Sequence, residues 1–186
     1  AEVGDVPATA AETITRQARV ELLDLDRVKR DLAVTAHPIV PVIRELERVC
    51  GPDGRWVHWG TTTQDIIDTG MVLQLKAAHA ILHRDLVALV RVLSDLAERH
   101  RDTVMAGRTH AQQALPITFG FKVAGWVAEG LRQVARLDEV APRLLVGQLG
   151  GAVGTLAGFG THAEQIQRGV MERLGLGVPP IAWHTA

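Results

Sequence analysis

Between about Thr63 and Arg101 the sequence keeps one helical rhythm without a stop. Ile66, Ile67, Met71, Leu75, Ala78, Leu82, Leu86, Leu89, Leu93 and Leu96 recur at steps of three and four, the spacing that lines one side of an α-helix. Gly70 is the only interior breaker. At 1.5 Å rise per residue the pattern predicts a helix of roughly 55 Å, longer than a small domain is wide. Its apolar positions also spread beyond a narrow stripe, so the helix needs neighbours on several sides. The expected class is all-α, a bundle of long helices completed by other subunits.

The other segments agree. Residues 8–19 read as a short helix after Pro7, and residues 24–35 as a second with Asp24 as N-cap. "HPIVPVIRELERVC" is a third, its prolines confined to the first turn, where no helical N–H is lost. "GPDG" at 51–54 is a turn. A second long helical pattern runs from about Pro116 to Leu137 and extends toward Leu145 with a kink near Pro142. "GQLGGAVGTLAGFG", residues 147–160, reads as a loop or a set of tight turns, and a last helix spans about His162 to Leu174, ending at Gly175. Strand-like alternation is nearly absent. The ends, "AEVGDVPATAAETI" and "IAWHTA", read as those of a fragment.

Composition narrows the partners. The chain of 186 residues is 47% hydrophobic and 22% charged, enough to bury a real core. A net charge of -1 leaves no basic excess to neutralise phosphates, which argues against nucleic acid as a partner. A small anion needs only a local site and stays open. The single cysteine, Cys50, allows no internal disulfide and fits a reducing compartment. With no apolar run of membrane-spanning length and no signal peptide, the expected location is cytoplasmic, without a membrane partner.

Three histidine-bearing segments could carry chemistry: "TAHP" with His37, "HWGTTTQD" with His58, and "GRTHAQQ" with His110. The second places Thr61, Thr62 and Thr63 just where the long helix begins. The first helical N–H groups lack partners and the helix dipole favours negative charge there, so hydroxyls and amides can make an anion site. The same residues also fit a capping box, with Thr62 or Thr63 as N-cap and Gln64 or Asp65 in the first turn. In the third, His110 supplies a histidine, the residue type that can donate or accept a proton near neutral pH, while Gln112 and Gln113 can hold carboxylate or carbonyl oxygens. A polar turn between helices with a satisfied histidine is the alternative. His79 and His83 stand four apart, which is metal-ligand spacing, but no acidic partner joins them in the pattern, so no metal is expected. His100 reads as solvated and His162 as a helix-start residue. The glycine-rich segment lacks a Lys-Ser/Thr ending and follows no strand, which excludes a P-loop; close helix contact or backbone approach to a ligand remains.

In order and at this spacing, "HWGTTTQDIIDT", "GRTHAQQALPITFG" and "GGAVGTLA" after an N-terminal histidine resemble the fumarase/aspartase superfamily. "PRLLVGQLGGAVGTLAGFG" and the terminal "WHT" are similar to 3-carboxy-cis,cis-muconate cycloisomerases. "TVMAGRTHAQQALPITFG" and "TAHP" are more like adenylosuccinate lyases, and the cycloisomerases usually carry Trp where His110 stands. The resemblance implies a mostly helical three-domain subunit, with 1–59 in the N-terminal domain and 60–186 in the central long-helix domain. It implies a homotetramer whose active sites are shared between subunits, and a di- or tricarboxylate substrate handled without metal or organic cofactor. The implied reaction is reversible β-elimination or addition next to a carboxylate, most like the cycloisomerase, with adenylosuccinate lyase as alternative. A helical fragment that only oligomerises is the non-catalytic alternative. By resemblance, His110 and His58 are catalytic, and Thr61, Thr62, Thr63, Thr109, Gln112 and His37 bind substrate. The family's general base is a serine on a Gly-Ser-Ser-x-x-Met-Pro-x-Lys-x-Asn loop, a motif these residues do not contain. Ala186 stands where relatives usually carry a substrate-binding Gln.

Overall fold

The computed structural model describes residues 1–185, and Ala186 lies outside the described residues. The elements are α1 (Ala8–Gln17), α2 (Leu25–Thr35), α3 (Val40–Cys50), α4 (Thr63–Arg99), β1 (Val104–Thr109), β2 (Gln112–Thr118), α5 (Phe119–Leu144) and α6 (Ala163–Leu174). The chain forms two compact units, 1–73 with 146–186, and 74–145. The expected all-α class holds: long helices dominate, with one two-stranded sheet. No helix among the described residues is long and apolar enough to cross a membrane.

In the first unit, α3 packs on α1 and α2. Asp24 caps α2 as expected, accepting from the Arg27 N–H at 2.9 Å. Glu45 on α3 is buried, accepts the Asp24 N–H at 3.0 Å, and pairs with Arg48. The Arg48 guanidinium and that N–H hold its carboxyl down at about 2. Ala10, Cys50, Val72, Leu149, Phe159 and Met171 form the buried apolar interior.

The glycine-rich segment is shaped by close contact. A Cβ on Gly60 would meet the Phe159 ring at 2.7 Å, and one on Gly150 would meet the Ala182 Cβ at 2.7 Å. Small residues let this loop lie flat against the "HWG" segment and the segment around Ala182. Part of it, Ala157–His162, forms 3₁₀ turns. His162 begins α6 as expected, though its ring pairs with Asp5 at 3.3 Å and does not cap the helix. Gly175 ends α6 in the left-handed conformation.

The second unit contains the remainder of α4, the hairpin β1–β2 and α5. The helices run antiparallel: His79 Nε2 lies 3.0 Å from the Leu137 carbonyl, Val90 touches Gly130, and Gly120 lies against the backbone of Ala97 and Arg101. α4 has 37 residues, about 56 Å at 1.5 Å per residue. Pro142 sits inside the last turns of α5. Two minor expectations change. His83 finds an acidic partner after all, Asp138 at 3.0 Å, because α5 supplies what α4 lacks. His100 is half-buried, edge-on to Phe119, with Nδ1 3.2 Å from the Thr103 hydroxyl.

The main correction falls on residues 104–118. The expected polar turn leading straight into a helix is an antiparallel hairpin, and α5 starts at Phe119, not Pro116. Thr109 pairs with Gln112, so His110 and Ala111 are the two turn residues, with φ of 45° and 62°. A two-residue hairpin turn of this hand needs positive φ at both positions. Asn-Gly usually announces it, and His-Ala does not. The strands are largely exposed and show no alternation of burial, so the period-2 signal that reports a half-buried sheet was never in the sequence.

Candidate functional site

The start of α4 gathers one group of the predicted residues. The Thr61 hydroxyl donates to the His58 carbonyl at 3.0 Å and lies 2.7 Å from His58 Nδ1. Both contacts are made together when Nδ1–H donates to the hydroxyl, leaving Nε2 with its lone pair free. Burial pushes the His58 imidazole below its ordinary value, against the opposing pull of the Asp65 and Glu47 carboxylates. Burial thus favours the neutral ring, the form that can take a proton. His58 also holds φ at 63°, an uncommon conformation for a residue with a Cβ.

His37 Nδ1 accepts the Ile39 N–H at 3.4 Å, and its Nε2 reaches the Thr63 hydroxyl at 3.3 Å. Two of the three threonines thus already serve histidines. The Thr62 hydroxyl has no hydrogen bond among the described residues. The cap at this helix start comes instead from Asp65, whose Oδ2 accepts the Thr62 N–H at 3.0 Å. That is the reciprocal half of a capping box without the threonine half.

Asp65 does more than cap. It is 1% exposed and also accepts from the N–H groups of Gly150 at 2.8 Å and Gly151 at 2.9 Å, and from Gln148 Nε2 at 3.3 Å. One helix turn on, the Thr69 hydroxyl donates to the Gln148 carbonyl at 2.7 Å and accepts its N–H at 2.9 Å. Asp68 accepts from Gln64 at 2.6 Å and from the Trp183 indole N–H at 2.8 Å. These buried polar groups fasten the glycine-rich loop and the "WHT" segment to α4. Sequence reading passed over Asp68, Thr69, Gln148, Trp183 and His184. The available signal was a polar stripe, Thr62, Asp65, Asp68 and Thr69 at steps of three and four, on a helix otherwise rich in apolar residues.

The second group of predicted residues, Thr109, His110 and Gln112, occupies the hairpin tip in the other unit, all exposed. The turn fixes His110 in the left-handed region and presents its ring to solvent. A groove of about 560 Å³ flanks the hairpin, lined by Met105, Ala106, Arg108, Ile117, Phe121 and Lys122. A larger cavity of about 1170 Å³ lies among the chain start, α1 and α6 and contains none of the predicted residues. No cluster of three or more metal-ligating side chains occurs among the described residues.

Comparison with known proteins places these motifs in context. A family profile described as "Lyase" matches residues 2–186. An N-acetyl-S-(2-succino)cysteine lyase of Dickeya dadantii is 43% identical over 185 residues, covering 100% of this chain and 41% of that protein. An adenylosuccinate lyase of Pyrococcus horikoshii is 46% identical over 176 residues, covering 95% of this chain and 39% of that one. Among solved structures, a 3-carboxy-cis,cis-muconate lactonizing enzyme from Pseudomonas putida superposes with a TM-score of 0.94 at 38% identity, covering 99% of this chain and 43% of that one. The chain thus spans about two fifths of the length of the curated relatives it matches.

Proposed function

Because the chain belongs to the fumarase/aspartase superfamily of lyases, we propose that the full-length protein catalyses reversible β-elimination next to a carboxylate. A proton leaves the carbon beside one carboxylate, and the bond to a nitrogen, sulfur or oxygen on the adjacent carbon breaks. The negative charge that develops on the carboxylate must be held by donors already in place. The observation that carries this reading is the cluster at the start of α4. It combines a His58 ring that burial biases toward the neutral form, an Nε2 and a Thr62 hydroxyl without hydrogen-bond partners among the described residues, and a helix N-terminus braced by buried Asp65.

In this reading Thr61, Thr62 and Thr63, with His37, form a carboxylate-binding segment, and His58 takes part in proton transfer. His110, at the tip of the two-residue turn, delivers a proton to the leaving atom, with Thr109 and Gln112 holding substrate oxygens. The two groups come together in a homotetramer with active sites shared between subunits, and residues 1–59 and 60–186 belong to the N-terminal and central domains of the complete subunit. A free, buried Cys50 fits a cytoplasmic setting.

Two relatives are named for acting on a succinyl group attached through nitrogen or sulfur. An imidazole at His110 can donate a proton to such a leaving atom, so a 2-succinyl compound is the first substrate class. The second is 3-carboxy-cis,cis-muconate, whose own carboxylate would add across a double bond; the "WHT" and "PRLLVGQLGG" segments favour it. The test is turnover by the full-length protein of adenylosuccinate, N-acetyl-S-(2-succino)cysteine and carboxymuconate. Turnover of one of them supports the reading; a folded protein inert toward all three leaves the oligomerising, non-catalytic alternative.

A further inference from the structure

His184 has no part in the reaction described so far, yet its ring is held with unusual definition. The Gln148 side chain stands between it and Asp65. The Trp183 backbone N–H reaches Gln148 Oε1 at 3.2 Å, and a backbone N–H can only donate. The oxygen of that amide is thereby assigned, and Gln148 Nε2 is a donor. It has two hydrogens and two acceptors: Asp65 Oδ1 at 3.3 Å and His184 Nδ1 at 2.6 Å. His184 Nδ1 must therefore carry a lone pair, which puts the ring proton on Nε2. Turning the amide over would set its oxygen against the Asp65 carboxylate and lose the Trp183 bond.

Nε2 is buried and has no hydrogen-bond partner among the described residues. A buried N–H without an acceptor is costly, and a bound acceptor removes the cost. The nearby carboxylates are committed, Asp65 to four N–H donors and Asp68 to Gln64 and Trp183. Asp65 in turn holds the Thr62 N–H, so hydrogen bonds connect the ring continuously to the threonine segment. Resting on the β-elimination reading above, we propose that His184 is a substrate-binding residue whose Nε2–H donates to a carboxylate oxygen of the substrate. Gln148 is its positioning residue, because it sets the tautomer that makes Nε2 a donor.

The test uses the full-length protein with ¹⁵N-labelled histidine, His184→Asn for assignment, and fumarate as the probe ligand. The free protein should show His184 as the Nε2–H tautomer, and saturating fumarate should shift the Nε2 resonance. A hydrogen bond to a charged group corresponds to roughly a 10- to 150-fold loss of kcat/KM in His184→Asn, carried mostly by KM. His184→Gln, which can place an amide N–H near the lost Nε2, should recover a good part. Gln148→Met should yield a mixture of tautomers and lose activity although His184 is intact. An Nδ1–H tautomer, a resonance unmoved by saturating fumarate, or near-normal kinetics in His184→Asn overturns the assignment and leaves β-elimination standing. A protein that neither binds fumarate nor turns over adenylosuccinate, N-acetyl-S-(2-succino)cysteine or carboxymuconate overturns both.

Discussion

Thr62 separates two accounts of the α4 start. Had its hydroxyl capped the helix, removing it would cost about 1 kcal/mol of stability. The structure gives the capping role to Asp65 and leaves the hydroxyl without a hydrogen bond among the described residues. Thr62→Val should therefore leave thermal stability nearly unchanged. If the hydroxyl holds a substrate carboxylate, kcat/KM should fall by an amount equivalent to about 1.5–3 kcal/mol. Thermal melts and kinetics on the same variant decide the matter: a lowered melting temperature with unchanged kinetics would return Thr62 to a structural role. At this scale the sequence was legible where chemistry follows residue type. Histidines and threonines before a long helix stood out, as did the Asp24 cap. The roles of Gln148 and His184 were not legible, because they depend on a contact between residues 83 positions apart, Asp65 and Gln148.

Among the elements, α4 was readable because its apolar period is long and uninterrupted. The hairpin was not, because exposed strands carry no alternation and a His-Ala turn lacks glycine or asparagine. The glycine-rich loop was recognised as irregular, but nothing in its composition reveals that a carboxylate on α4 organises it. Asp65 supplies that organisation by accepting from Gly150, Gly151, Gln148 and Thr62 together. Asp65→Ala would leave several buried N–H groups unsatisfied and should destabilise the first unit by about 3 kcal/mol or more. Hydrogen exchange should show loss of protection at Gly150 and Gly151 ahead of the rest. A variant as stable as the parent would contradict the anchoring role of this carboxylate.

For the whole molecule, the second unit exposes much apolar surface. Ile81, Leu82, Leu89 and Val92 on α4 and Phe121, Trp126 and Leu131 on α5 are all at least 44% exposed. At about 25 cal/mol per Å², covering such faces favours assembly strongly. The full-length protein should therefore scatter light as a tetramer, and a stable monomer at micromolar concentration would remove both the assembly and the shared active site. The long helix already implied neighbours beyond its own chain. What the sequence could not convey is that the predicted site residues fall into two groups on separate units, because linear spacing does not say which segments pack into the same unit.

The central claim is proton transfer by His110 in a β-elimination, and the most direct measurement is turnover of His110→Asn in the full-length protein. Asparagine keeps a hydrogen-bonding side chain, tolerates the positive φ of this turn, and cannot titrate. General acid catalysis is worth about 10²- to 10⁴-fold in rate. On the best substrate among adenylosuccinate, N-acetyl-S-(2-succino)cysteine and carboxymuconate, kcat should fall by that order. Fold and assembly should persist. A kcat within about threefold of the parent would contradict the claim, since general acid catalysis by this histidine requires the larger loss.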